Sequence, residues 1–142
     1  MEIKFRAILL DQNFGEKTDV SWVYGSLNVF DNGSRSIRYY SDNGVSNKVE
    51  VNPITVCQYI NLKDEKGKEI YVGDIGYLQT NWGERLKCVV EFCKAGFIFS
   101  YISRNNKKKC IFAQDVALNK MKFEIIGNIY ENPGLTLNLP YK

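Results

Sequence analysis

Histidine does not occur in this chain of 142 residues. Its absence excludes Ser-His-Asp and Cys-His nucleophiles, a histidine general base and every His-ligated metal site. Long hydrophobic runs are also missing. None approaches the roughly 18 residues of a membrane-spanning helix, and Met1-Glu2-Ile3-Lys4 does not open like a signal peptide. No membrane partner is expected, and the expected location is the cytoplasm. Proline is scarce, at three residues, and no Pro- or Ser-rich linker or internal repeat divides the chain. Glycine is present without a phosphate-cradling pattern: Gly67, Gly73 and Gly76 match neither a P-loop nor G-x-G-x-x-G.

Cysteine is present but not patterned. Cys57, Cys88, Cys93 and Cys110 are scattered, and only Cys88 and Cys93 are close. Without Cys-x2-Cys pairs or histidine, no zinc site is expected, and no other cofactor. Cys57, Cys88 and Cys110 lie among apolar neighbours, which predicts buried, reduced thiols. Of the carboxylates, Asp64, Glu65, Glu69 and Asp74 are near in sequence, but their turn setting suits solvent better than catalysis. The expectation is a protein that is not an enzyme, with no catalytic residue to name.

What is plentiful is strand chemistry. Aromatics make up 13% of the residues, and with the many Ile and Val they favour β-structure. The length suits one compact domain, residues 1–142. Glu2 to Leu10 begins with alternation: Ile3, Phe5 and Ala7 share one face, while Glu2, Lys4 and Arg6 share a polar face read as solvated. Further strands are predicted over 20–30, 35–40 and 46–51, separated by turns at Asp31-Asn32-Gly33 and Asp42-Asn43-Gly44. Asn52-Pro53 caps a single helical turn. Val56 to Ile60 and Ile70 to Thr80 flank a turn at Asp64-Glu65-Lys66-Gly67-Lys68, and the second is bent at Gly73-Asp74. Strands over 85–93, 97–102, 110–112 and 122–130 complete the pattern, with one or two helical turns over 113–120 and a loose tail over 135–142. The predicted fold is all-β with little helix: an N-terminal antiparallel meander (1–51) packed on a C-terminal SH3-like barrel (52–134).

Charge is uneven. Residues 1–50 carry six Lys/Arg and seven Asp/Glu, and residues 51–142 carry thirteen and nine. The densest run is Arg104-Asn105-Asn106-Lys107-Lys108-Lys109, with Asp115 the next carboxylate along the chain. Trp82 stands at a turn beside Arg85 and Lys87, and Tyr101 beside Arg104. Cations neutralise phosphates and an exposed ring stacks on unpaired bases. The candidate nucleic-acid-binding residues are therefore Trp82, Arg85, Lys87, Arg104, Lys107, Lys108 and Lys109. The expected function is a small binding module for single-stranded nucleic acid or a protein partner. The alternative is a structural protein forming a homo-oligomer through a strand edge; a carboxylate- and metal-dependent enzyme comes after both.

Three segments, in order, resemble the YopX family of phage and prophage proteins. They are Ile3-Lys4-Phe5-Arg6-Ala7; Gln58-Tyr59 with Leu62 through Tyr71 and then Gly73-Asp74-Ile75; and Ile125-Ile126-Gly127-Asn128-Ile129-Tyr130-Glu131-Asn132-Pro133. Two departures are visible. Ile8 stands where the family usually has Trp, and Ile60-Asn61 where it usually has Thr-Gly. The resemblance implies a β-rich protein of a phage or an integrated element, with no established biochemical activity to carry over; the location is then expected to be the bacterial host cytoplasm, and the protein partner of a binding module one of phage or host. The resemblance carries over no catalytic residue. Gly67, Gly73 and Gly127 read as backbone requirements, and Ile70, Ile75, Ile126 and Ile129 as core.

Overall fold

The computed structural model of the chain describes residues 1–15 and 19–135. The turn expected around Gly15 falls partly, and the C-terminal tail almost wholly, outside these residues. Among them the strands are β1 (Phe5–Ile8), β2 (Trp22–Val29), β3 (Arg35–Tyr40), β4 (Ser46–Val51), β5 (Cys57–Lys63), β6 (Glu69–Tyr71), β7 (Asp74–Gln79), β8 (Arg85–Cys93), β9 (Gly96–Ile102), β10 (Lys108–Phe112) and β11 (Lys122–Asn128). One short helix, α1 (Ala113–Leu118), and two single 3-10 turns are the helical content. The first of these turns, Pro53–Thr55, is capped as its sequence indicates: Asn52 Oδ1 accepts from the Ile54 N–H at 3.1 Å.

The strands form two antiparallel sheets. One has the order β4-β3-β2-β1-β5-β6, the other β10-β9-β8-β7-β11. Neither ladder closes as the expected SH3-like barrel; the second sheet is open, with β10 and β11 at its edges. β5 and β6, expected beyond the meander, join the N-terminal sheet. At the far edge of that sheet, β4 curls back toward the end of β1. Leu9 bridges Val51, and the Asn52 N–H donates to Ile8 O at 2.8 Å. The curl wraps a small core of Ala7, Ile37 and Val51.

The predicted bend at Gly73-Asp74 proves to be the crossing between sheets. The Val72 N–H donates to Gln58 O in the first sheet, and the Gly73 N–H donates to Val90 O in the second, at 2.9 and 2.8 Å. Two consecutive donors serve different sheets, so the chain must turn sharply between them. Gly73 does this at a φ of +96°, a region that a Cβ disfavours. The main core then fills the inner face of the second sheet: Leu78, Cys88, Val90, Phe99 and Phe123 alternate inward, under Ile60, Ile70 and the α1 residues Ala113 and Val116.

Four expectations change here. Asp64 is buried, not solvated, because its carboxylate is the hub of the 64–68 turn. It accepts the N–H groups of Lys66, Lys68 and, from β11, Ile125, at 2.9, 2.9 and 3.2 Å. Cys110 is exposed, since it lies on the outer edge strand β10; Cys57 and Cys88 are buried and Cys93 is half-buried, all four as free thiols. Ile126 is exposed rather than core, because the β7–β11 register shifts between Ile125 and Gly127 and re-aims the side chain. Ile3 is exposed because it precedes β1, whereas Arg6 within β1 is buried, since both faces of that strand are covered by protein.

Candidate functional site

The turns at 80–84 and 103–107 lie at the same end of the second sheet, because β7–β8 and β9–β10 are alternate hairpins of one meander. The first is held by Thr80, whose hydroxyl accepts the Glu84 N–H at 2.9 Å. Trp82 at its tip is 53% exposed, and its indole N–H donates to Glu84 Oε1 at 2.7 Å. The second is closed by Ser103 N–H to Lys107 O at 2.8 Å, with Asn106 in the left-handed region at φ +62°. Between the turns runs a groove of about 340 Å³ lined by Glu84, Leu86, Tyr101, Arg104, Asn105 and Lys109, among others.

Of the seven predicted residues, the structure brings Arg104 and Lys109 into this groove, with Trp82 tied to its wall through Glu84. Alternation takes others away. Lys109 pairs across from Tyr101, so its neighbour Lys108 points to the opposite face, where its Nζ meets Glu91 at 3.0 Å. The basic run thus has an acid beside it that sequence distance did not show. Arg85 and Lys87 lie on that same opposite face, alternating with Leu86 and Cys88. The Arg85 guanidinium stacks 4.5 Å from the Tyr77 ring centre and 3.6 Å from Glu124. Lys107 is exposed in the turn.

A second polar cluster escaped the sequence reading. Arg6, 4% exposed, reaches from β1 to the start of β7, where its Nη2 donates to Asp74 Oδ1 at 2.7 Å; Asp74 is 1% exposed. The other oxygen, Oδ2, accepts the Tyr71 N–H at 2.8 Å. The guanidinium lies 4.4 Å from the Trp22 ring centre and 4.8 Å from that of Tyr71. Burial pulls the Arg6 pKa down, but facing Asp74 it ends above the ordinary arginine value. Burial pushes the Asp74 carboxyl up, and this outweighs the pull of Arg6 and the Tyr71 N–H. Cys57 packs beside the pair, its thiol also pushed up by burial. With both Asp74 oxygens engaged, the pair is a joint between sheets.

The C-terminal signature segment closes around this joint. The Trp22 indole N–H donates to Glu131 Oε1 at 2.6 Å, and Asn128 Nδ2 donates to the same oxygen at 2.9 Å. Asn128 Oδ1 accepts the N–H groups of Tyr130 and Glu131, at 3.0 and 2.9 Å. The Ile129 N–H returns to Gly73 O at 2.9 Å. The signal available in the sequence was the spacing of three signature segments, each supplying one member of this joint: Arg6, Gly73-Asp74 and Asn128 to Glu131.

Among the described residues no group of three or more His, Cys, Asp or Glu could hold a metal, and no helix is long and apolar enough to cross a membrane. Comparison with known proteins gives three results. No curated protein matches the chain. The crystal structure of protein YopX from Bacillus subtilis aligns with a TM-score of 0.47 and 17% identity, covering 94% of this chain and 97% of that one. The family model described as YopX protein matches residues 4–136. That match takes in Arg6, Asp74 and Asn128 together, so the joint lies within the matched region, and the chain belongs to the YopX family.

Proposed function

We propose that the chain is a small binding module that holds single-stranded nucleic acid at the end of its second sheet. The observation that supports this reading is the groove between the 80–84 and 103–107 turns, which combines Tyr101, Arg104 and Lys109 beside the exposed Trp82 ring. Among the described residues Arg104 and Lys109 make no ion pair, so their charge is available to phosphate. Trp82 is held by Glu84, which fixes the ring without covering it. Cations supply affinity for any phosphate backbone, and the ring selects bases that are free to unstack.

The test is titration of labelled single-stranded and duplex oligonucleotides across salt concentrations. Single strands should bind more tightly, and binding should weaken steeply with salt. Replacing Arg104 and Lys109 together by Ala should flatten the log-log salt dependence by about 1.4 units if both touch phosphate. Trp82→Ala should leave that slope unchanged while lowering affinity by about 1–3 kcal/mol. Absence of binding to either form at high micromolar protein ends this reading in favour of a protein partner. Self-association is the second reading, because β10 is an open edge strand. Lys108 and Lys109 on that edge oppose it by charge repulsion. A mass that rises with concentration in sedimentation would favour it.

A further inference from the structure

The groove at the end of the second sheet has an acid among its cations. Glu84 lines it together with Tyr101, Arg104, Asn105 and Lys109. A carboxylate repels phosphate, so in a groove that serves a nucleic-acid backbone it is unfavourable unless another part of the ligand uses it. Glu84 is also held in place. Its N–H donates to Thr80 Oγ1 at 2.9 Å and its carbonyl accepts the Thr80 N–H at 2.8 Å, which fixes the backbone. The Trp82 indole N–H, at 2.7 Å from Oε1, fixes the side chain.

That bond uses one acceptor position of the carboxylate, which has about four. Among the described residues Glu84 Oε2 accepts no hydrogen bond, and Glu84 makes no ion pair with Arg104, Lys109 or any other cation. Most of its accepting capacity is therefore unused at the groove wall, and Glu84 is only half-buried, so a ligand can reach it. Tyr101 stands near enough to feel the charge: burial, and after it Glu84, push the Tyr101 hydroxyl up, so that it stays neutral. The Glu84 carboxylate is thus oriented before any ligand arrives, beside a ring and two cations that have other work.

Unpaired bases differ in what they offer a carboxylate. Guanine carries two adjacent donors, N1–H and N2–H, on its Watson–Crick edge. A carboxylate can accept both at once, as it does from the fork of an arginine. Adenine and cytosine each set one amino donor beside a ring nitrogen that accepts, and thymine or uracil sets N3–H between two carbonyls. In all of these an acceptor lone pair meets the second carboxylate oxygen. Guanine O6, next to N1–H, needs a donor in turn, and the Asn105 amide brings one to the same groove. We infer, building on the single-strand reading of this groove, that Glu84 makes it selective for guanine: the carboxylate accepts N1–H and N2–H of one base while Arg104 and Lys109 hold phosphate.

The test is a fluorescence-anisotropy titration of the full chain with short oligothymidylates that carry one central guanine, inosine, adenine or cytosine, beside the all-thymine strand. The guanine strand should bind about tenfold more tightly than the all-thymine strand. Inosine keeps N1–H and lacks the N2 amine, so it should lose most of that advantage. Glu84→Gln keeps an oxygen for the Trp82 N–H but can no longer accept two donors at once. It should abolish the guanine preference and, with an acid gone from beside the phosphates, bind the all-thymine strand more tightly than the native chain does. Equal binding of all the strands by the native chain, inosine as good as guanine, a preference that survives Glu84→Gln, or a Glu84→Gln chain that binds every strand more weakly by the same factor would overturn the inference and leave the single-strand reading standing. Binding of none of the strands at high micromolar protein would overturn both.

Discussion

Arg6 and Arg104 carry the same charge into opposite surroundings. Arg6 is enclosed by Trp22 and Tyr71, meets Asp74 at 2.7 Å and spans two sheets. Arg104 stands in an exposed turn beside a groove. The first arginine is spent on the protein itself, and its removal would strand a buried carboxylate. The second can be lost with little consequence for folding, which leaves it free for a ligand. In this chain the segments that carry the family signature meet at the first kind of site, so signature residues and candidate binding residues are separate sets.

The sharpest way to break this contrast is to remove one partner of the joint. Arg6→Met or Asp74→Leu alone should destabilise by about 3–5 kcal/mol, because each leaves an uncompensated buried charge. The double replacement should recover much of the loss, since an apolar pair carries no desolvation penalty. Urea denaturation measures both. A double variant no better than the worse single would mean that packing against Trp22 and Tyr71, and not charge, holds the sheets together.

Glycine positions offer the next test. Gly76 sits where β7 and β11 approach: a Cβ there would lie 2.2 Å from Glu124 O and 2.6 Å from the Phe123 ring, so backbone must shift. Gly76→Ala should cost about 2–3 kcal/mol. Gly67, at φ +83°, has open space where its Cβ would go. Gly67→Val should therefore cost about 1 kcal/mol from conformation alone. Equal costs at the two sites would show that close approach between strands is not what Gly76 provides.

Much of this was legible in the residues, for physical reasons that also mark where legibility stops. Asn-Gly pairs placed the turns at 31–33 and 42–44, because few other residues tolerate those conformations. Those turns delimited β3 and β4, and partial alternation gave β8, all at their observed bounds. The same alternation misled at β1. A polar face next to an apolar face reads as solvated, but Arg6 is covered because Trp22, Tyr71 and Asp74 close around it, and pairing between distant segments leaves no local trace. Asp64 was misread for a related reason: a turn carboxylate that gathers three backbone N–H groups looks, in sequence, like any charged turn residue. Lys108 and Lys109 were read as one patch because β10 was expected to begin only at Cys110; starting at Lys108, it sends adjacent lysines to opposite faces.

The exposed end of the comparison predicts small effects on folding. Trp82→Ala and Arg104→Ala should change stability by no more than about 0.5 kcal/mol, whatever they do to binding. Thiol labelling draws the same boundary. Cys110 should react first and Cys93 next, while Cys57 and Cys88 wait for the chain to open, slower by about three orders of magnitude or more. Burial also pushes the Cys88 thiol up to about 12, so little thiolate is present at neutral pH. Early reaction at Cys88 would show that the second sheet opens locally.

A small, pH-dependent effect lies between the two extremes, at the half-buried pair beside the joint. Lys4 Nζ donates to Glu69 Oε2 at 2.6 Å, and the Tyr71 hydroxyl donates to Glu69 Oε1 at 2.9 Å. Partial burial pushes the Glu69 carboxyl up, but the Lys4 and Tyr71 hydrogen bonds together hold it below its ordinary 4.5. A carboxyl lowered by folding stabilises the protein above its unfolded pKa and loses that contribution as pH falls through the folded value. Lys4 works in the other direction. The Glu69 hydrogen bond raises its pKa against some desolvation, so its share is complete below its ordinary 10.5 and is lost as pH rises through the folded value. Glu69→Gln should therefore be less stable than the native chain across neutral pH, by about 0.2–1 kcal/mol. The gap should narrow as pH drops below 4.5 and, separately, at strongly alkaline pH. Tyr71→Phe removes only the second donor, so it should move the acid-side narrowing toward the ordinary glutamate range while leaving the alkaline side in place. Stability measured by denaturation across pH on the three proteins decides it. A gap that stays constant through the acid range would mean that Glu69 contributes by packing and not by its charge.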